Sequence, residues 1–116
     1  MPRRQRKSYW TGTIRILTDE STKIVQQFKI NPYGKAIDFS LALHVKIGGR
    51  WHKIKYCDAK PEDGGAPHCH ILKLNGQERR EIVGGADSNL GVIVSEIIED
   101  IRNRLPAILD NYKHSR

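Results

Sequence analysis

The clearest pattern in the chain is a strict alternation over residues 37–47, where Ile37, Phe39, Leu41, Leu43, Val45 and Ile47 recur at every second position with Asp38, Ser40, His44 and Lys46 between them. Successive side chains of a strand point to opposite faces, so this period of two predicts a strand with one buried face, placed centrally in a sheet. Gly48-Gly49 can adopt the positive backbone angles of a tight hairpin, and alternation resumes from Trp51 to Tyr56, with Ile54 and Tyr56 on one face and Lys53 and Lys55 on the other. A two-residue loop pairs Leu43 with Ile54, Leu41 with Tyr56 and Phe39 with Asp58, which turns Asp58 toward the core side at the end of its strand.

The flanking segments extend the sheet. Residues 9–17 are rich in aromatic and β-branched types, with Trp10, Ile14 and Ile16 as one set, and Thr18-Asp19-Glu20-Ser21 bounds them as a turn. Residues 22–30 place Ile24, Phe28 and Ile30 on one parity, and Asn31-Pro32-Tyr33-Gly34 closes them, so these two strands are expected to form a hairpin. Residues 59–67 lack periodicity and read as a surface loop. A strand over 68–74 and another over 77–83 are joined at Asn75-Gly76; in this register His68, His70, Leu72 and Leu74 share a face, with Arg79, Glu81 and Val83 opposite or beside them.

Beyond Gly84-Gly85 the period changes to that of a helix. Leu90, Val94, Ile97, Ile101, Leu105 and Ile108 recur at helical spacing, with Asp87 or Ser88 as the expected cap and Pro106 expected to kink or restart the helix near Leu105. Strands followed by one helix predict an α+β domain: an antiparallel meander of about six strands with one long C-terminal helix packed on one face. The other face of the sheet must be wet or bind something.

Composition narrows the classes. A length of 116 residues accommodates one domain, expected over 9–116 behind a basic disordered tail at 1–8. No apolar run approaches the roughly 20 residues of a membrane span, and no apolar segment follows the basic start, so neither a membrane location nor export is expected. The protein is therefore read as cytoplasmic, with Cys57 and Cys69 kept as free thiols by a reducing compartment. Twenty Lys and Arg against thirteen Asp and Glu give +7, which favours a polyanionic partner. Arg3, Arg4, Arg6 and Lys7, together with Lys55 and Arg79, are the candidate nucleic-acid contacts. Trp10, Trp51, Tyr9 and Tyr33 lie near basic residues and could stack bases, but packing is expected for both tryptophans.

The candidate chemistry lies in Ala66-Pro67-His68-Cys69-His70-Ile71. Imidazoles two residues apart in a strand point to the same side, roughly 7 Å between Cβ atoms, and can share a metal or a phosphate. With Asp58 on the neighbouring strand they form a set suited to acid–base work or divalent-metal binding, with Tyr56 one step inward. RNA cleavage through the 2′-hydroxyl needs a base, an acid and a cation, which histidine with arginine or lysine supplies near neutral pH. The plainer alternative is that His68 and His70 only start the strand, one bonded to the preceding loop and the other to solvent. A four-ligand zinc site is not expected, because Cys69 faces away from its histidine neighbours, and no cofactor or resident metal is assigned.

The order of these motifs, a strand ending Trp51-His52-Lys53-Ile54-Lys55-Tyr56-Cys57-Asp58, a loop, Pro67-His68-Cys69-His70 and a closing helix, resembles the TumE-like family of small toxins of toxin–antitoxin pairs over about residues 36–110. The resemblance implies Tyr56, Asp58, His68 and His70 as site residues, a cognate antitoxin as partner and RNA as target. The chain departs from the family pattern after the aspartate, where Ala59-Lys60 and a longer acidic loop stand in place of an Asp-Asn-Ala-type continuation. The reading is thus a small toxin-like protein acting on RNA, as a ribonuclease if it is an enzyme. The alternatives are a non-catalytic nucleic-acid-binding module and a regulatory subunit whose wet face is a homodimer or antitoxin surface.

Overall fold

The structure, a computed structural model, describes residues 7–59, 65–85 and 89–115. The expected tail contacts Arg3, Arg4 and Arg6 and the expected caps Asp87 and Ser88 lie outside the described residues. Seven strands precede one helix: β1 (Tyr9–Trp10), β2 (Ile14–Asp19), β3 (Thr22–Ile30), β4 (Ala36–Ile47), β5 (Arg50–Asp58), β6 (His68–Leu72), β7 (Glu78–Ile82) and α1 (Leu90–Lys113). All pairings are antiparallel, in the order β1-β3-β4-β5-β6-β7, and β2 continues the β1 edge by pairing with β3. This is the expected α+β meander, with β4 in the interior of the sheet.

The alternation in β4 sets the core. Phe39, Leu41, Leu43 and Val45 are buried beneath α1, where they meet Ile24, Ile54, Ile93, Val94, Ile97, Ile101 and Tyr112. Asn89 caps α1 by accepting the Val92 N–H at 3.1 Å, one residue beyond the positions expected for the cap. The helix runs through Pro106 as one element to Lys113. No helix among the described residues is long and apolar enough to cross a membrane.

Two local features shift the expected register. The β4–β5 pairing begins as a tight hairpin on Gly48 (φ 59°) and Gly49 (φ 79°), with Ile47 opposite Arg50, but slips between Leu43 and His44. Leu43 therefore faces Lys55, Leu41 faces Cys57 and Ser40 faces Asp58, in place of the expected Ile54, Tyr56 and Phe39–Asp58 pairs. The extra residue reverses parity: Ile54, Lys55 and Cys57 are buried, and Tyr56 and Asp58 turn away from the helix side. At the second hairpin, Lys73 and Gln77 close a loop of Leu74-Asn75-Gly76 with Gly76 at φ 84°, so His70 faces Arg80 and Leu72 faces Glu78. The strand over 77–83 therefore presents Glu78, Arg80 and Ile82 beside the histidines, where Arg79, Glu81 and Val83 were expected.

Cys57 and Cys69 form a disulfide across β5 and β6, and the described residues hold no free cysteine. The expectation of free thiols is corrected by the β5–β6 register, which sets Cys57 directly opposite Cys69 on the same face. Both tryptophans are also exposed, Trp10 by 43% and Trp51 by 42%, where packing was expected.

Candidate active site on the open sheet face

The registers assemble the face opposite α1 into cross-strand rows. One runs Arg15, Val25, Ala42, Tyr56, His70, Arg80; its neighbour runs Gln27, Ser40, Asp58, His68, Ile82. On the other side of the bulge Lys23, His44 and Lys53 form a third row. Small residues at Ser40 and Ala42 leave low ground beside Tyr56 and Asp58, and lysines border it. Lys23 places its ammonium 4.2 Å from the centre of the Trp51 ring, and Lys53 lies 5.4 Å from that of Tyr56.

Within this face Asp58, His68, His70 and Tyr56 converge. His68 Nε2 lies 3.0 Å from Asp58 Oδ1, with the two side chains only 5% and 17% exposed. The other ring nitrogen, Nδ1, lies 2.7 Å from the Ala66 carbonyl. A carbonyl oxygen only accepts, so Nδ1 carries the proton and donates. Arg80 Nη2 approaches the same nitrogen at 3.4 Å, too far to displace that shorter contact. His70 stacks on Tyr56, ring centres 4.3 Å apart and planes within 10°, and meets His68 edge-on at 4.9 Å. Glu78 ties the group together: Oε1 lies 3.0 Å from His70 Nδ1 and Oε2 accepts the Tyr56 O–H at 3.1 Å. Burial, followed by the Glu78 and Asp58 carboxylates, raises the pKa of the Tyr56 phenol, so it stays protonated and donates.

Backbone geometry fixes these positions. Asp58 is followed at once by buried Ala59, whose N–H donates to Asp38 Oδ1 at 3.1 Å. His68 opens β6 directly after fully buried Pro67, whose carbonyl accepts the Val83 N–H at 2.9 Å. The ends of the segment expected as a surface loop are thus anchored inside the protein. The disulfide joins the strands from behind, since Cys57 lies between Tyr56 and Asp58 and Cys69 between His68 and His70.

Of the residues singled out in the sequence, Asp58, His68, His70 and Tyr56 meet, whereas Lys55 and Arg79 do not join them. Lys55 is buried on the helix side, 3.9 Å from Asp100, and Arg79 is opposite Ile71 on that same side. Glu78 and Arg80 were missed. The signal that could have found them is the alternation of Glu78, Arg80 and Ile82, hidden by the choice of a two-residue turn.

The fold and face together define a small α+β protein whose sheet carries a histidine–histidine–carboxylate cluster on the side opposite α1. No family model, curated protein or solved structure matches the chain.

Proposed function

We propose that the protein acts on RNA, with single-stranded RNA lying along the open sheet face and phosphodiester cleavage occurring at Asp58, His68 and His70, in the role of a toxin held in check by a cognate antitoxin. The observation that carries this reading is the convergence of two imidazoles and a carboxylate on a face bordered by Arg15, Lys23, Lys53 and Arg80. Lysines and arginines attract phosphates, and exposed Trp51 offers a ring on which a base can stack. Cleavage moves the 2′-hydroxyl proton to a base as that oxygen bonds phosphorus; the 5′-oxygen leaves with a proton, and a 2′,3′-cyclic phosphate remains. Arg80 is the cation nearest the histidines for the charge that develops on phosphorus.

The test is incubation of the full chain with a mixed-sequence single-stranded RNA and with its DNA counterpart. Cleavage of RNA alone, lost by at least about a hundredfold in His70→Ala, is expected for an imidazole in acid–base or nucleophile-activating work. A chain that binds RNA in a salt-sensitive manner and leaves it intact would identify the non-catalytic module instead. Trp51→Ala should weaken RNA binding by about 1 to 3 kcal/mol if a base stacks there.

A further inference from the structure

We propose that Asp58, His68 and His70 form a binding site for one divalent transition-metal ion of the zinc class. The inference concerns the side chains of the RNA reading but does not require RNA to be the substrate.

The two histidines are prepared as ligands. His68 donates its Nδ1 proton to the Ala66 carbonyl at 2.7 Å, which leaves Nε2 as a bare lone pair in the neutral ring. His70 Nδ1 lies 3.0 Å from Glu78 Oε1, an acceptor that draws the proton to Nδ1 and again leaves Nε2 free. A histidine that gives one N–H to a carbonyl or carboxylate while its other nitrogen faces a cation is the usual supporting arrangement around bound metals. Here both histidines have the supporting half of it, an oxygen acceptor for the Nδ1 proton.

Asp58 completes the set. Its Oδ1 is shielded from solvent, accepts no hydrogen bond among the described residues, and still lies 3.0 Å from His68 Nε2. With the His68 proton on Nδ1, these are two lone-pair atoms in near contact, which repel unless a positive charge lies between them. No aligned hydrogen bond joins the two atoms, and a cation held beside the line between them would satisfy both lone pairs at once. One ligand atom from each of the three residues falls within 4.8 Å of the others. Ligands on a tetrahedral ion with bonds of about 2.1 Å are roughly 3.4 Å apart, so the widest gap closes with a side-chain adjustment of roughly 1.4 Å. Asp58 and Glu78 supply two negative charges against Arg80, which approaches the Nδ1 edge of His68 rather than Nε2.

The donor set selects the ion. Two imidazoles with one carboxylate suit zinc, cobalt, iron or nickel, while magnesium and calcium prefer oxygen ligands. Three protein ligands leave a position open toward the sheet surface. The disulfide faces the other side of the sheet, so sulfur takes no part.

Titration calorimetry of the oxidised full chain with zinc ion, repeated with magnesium ion, tests the site. One zinc per chain is expected, with magnesium at least a hundredfold weaker. Both His70→Ala and Asp58→Asn should weaken zinc by a hundredfold or more, Glu78→Gln by about tenfold to a hundredfold, and the surface control His114→Ala not at all. Far-ultraviolet circular dichroism of each variant verifies that it folds, and His68→Ala is avoided because His68 is only 4% exposed. Cobalt ion should give visible ligand-field bands without thiolate charge-transfer absorption. Absence of saturable zinc binding, or one-to-one binding that survives both His70→Ala and Asp58→Asn, overturns the site. Zinc binding without RNA cleavage leaves this site standing and removes the cleavage reading; cleavage by a chain that binds no zinc does the reverse.

Discussion

At the scale of single residues, environment separates the histidines more sharply than composition could. His68 and His70 are held by Ala66 and Glu78, His52 Nδ1 lies 3.1 Å from the Tyr112 hydroxyl on the helix side, and His44 lies between lysines. Burial first, then Lys23 and Lys53, holds the His44 imidazole below its ordinary value of 6.5. The unfolded chain then binds this proton more readily than the folded one. Stability attributable to His44 is intact above about pH 6.5, and is lost as pH falls from there to the depressed folded value. His44→Gln should flatten the pH dependence of unfolding between pH 7 and 5, read from urea midpoints at each pH; an unchanged slope would assign that dependence to other groups. The apolar side of the sheet is less tolerant. Ile101 is fully buried among the sheet residues, so Ile101→Ala should cost about 2 to 5 kcal/mol in the same denaturation measurement.

At the scale of elements, β3 and β4 were legible because a buried face imposes its period over nine and twelve residues. What could not be read there was a shift of one residue, and such a shift exchanges the two faces of a strand. In β5, Ile54 continues the β4 alternation and predicts Tyr56 inside, whereas the bulge brings in Lys55 and Cys57. Cysteine's strong tendency to be buried was the available hint against the simple register. In β7 the ambiguity is physical: two-residue and three-residue turns both accept Asn75-Gly76 with glycine at positive φ, so turn chemistry alone does not choose between them. The pairing of Asp58 with the histidines was legible as strand adjacency, while the side of the sheet on which they meet depended on the bulge. Gly76, at φ 84° with open space around it, should resist substitution for backbone reasons only. Gly76→Ala is expected to destabilise by about 1 to 2 kcal/mol and Gly12→Ala, with no positive φ and open space, by far less, in paired thermal melts. Pro106 lies inside α1 with its ring exposed, so Pro106→Ala should raise stability by about 1 to 3 kcal/mol as the missing N–H is restored.

At the scale of the whole molecule, the sheet divides two functions between its faces. The helix side gathers the aliphatic side chains that hold the fold; the open side is left to cations, exposed Trp51 and the histidine cluster. Both sides meet at one covalent link. The Cys57–Cys69 bridge spans 12 positions and belongs to the core, yet the residues flanking it are Tyr56, Asp58, His68 and His70. By the loop-closure argument a bridge of this span removes about 3 kcal/mol of unfolded-state entropy. Reduction, or Cys57→Ser with Cys69→Ser, should therefore lower stability by about that amount and Tm on the order of 10 °C. The link also limits relative movement of β5 and β6 where Asp58 faces His68, so removing it by Cys57→Ser with Cys69→Ser should weaken zinc binding at a temperature where that variant is still folded. That outcome would tie the site to the bridge through geometry, because a chain still folded at the temperature of measurement loses affinity only if its ligands have moved. Unchanged affinity in the folded Cys57→Ser, Cys69→Ser chain would show instead that the backbone pairing from Lys55 to Asp58 against Ile71 to His68 holds the three ligands by itself.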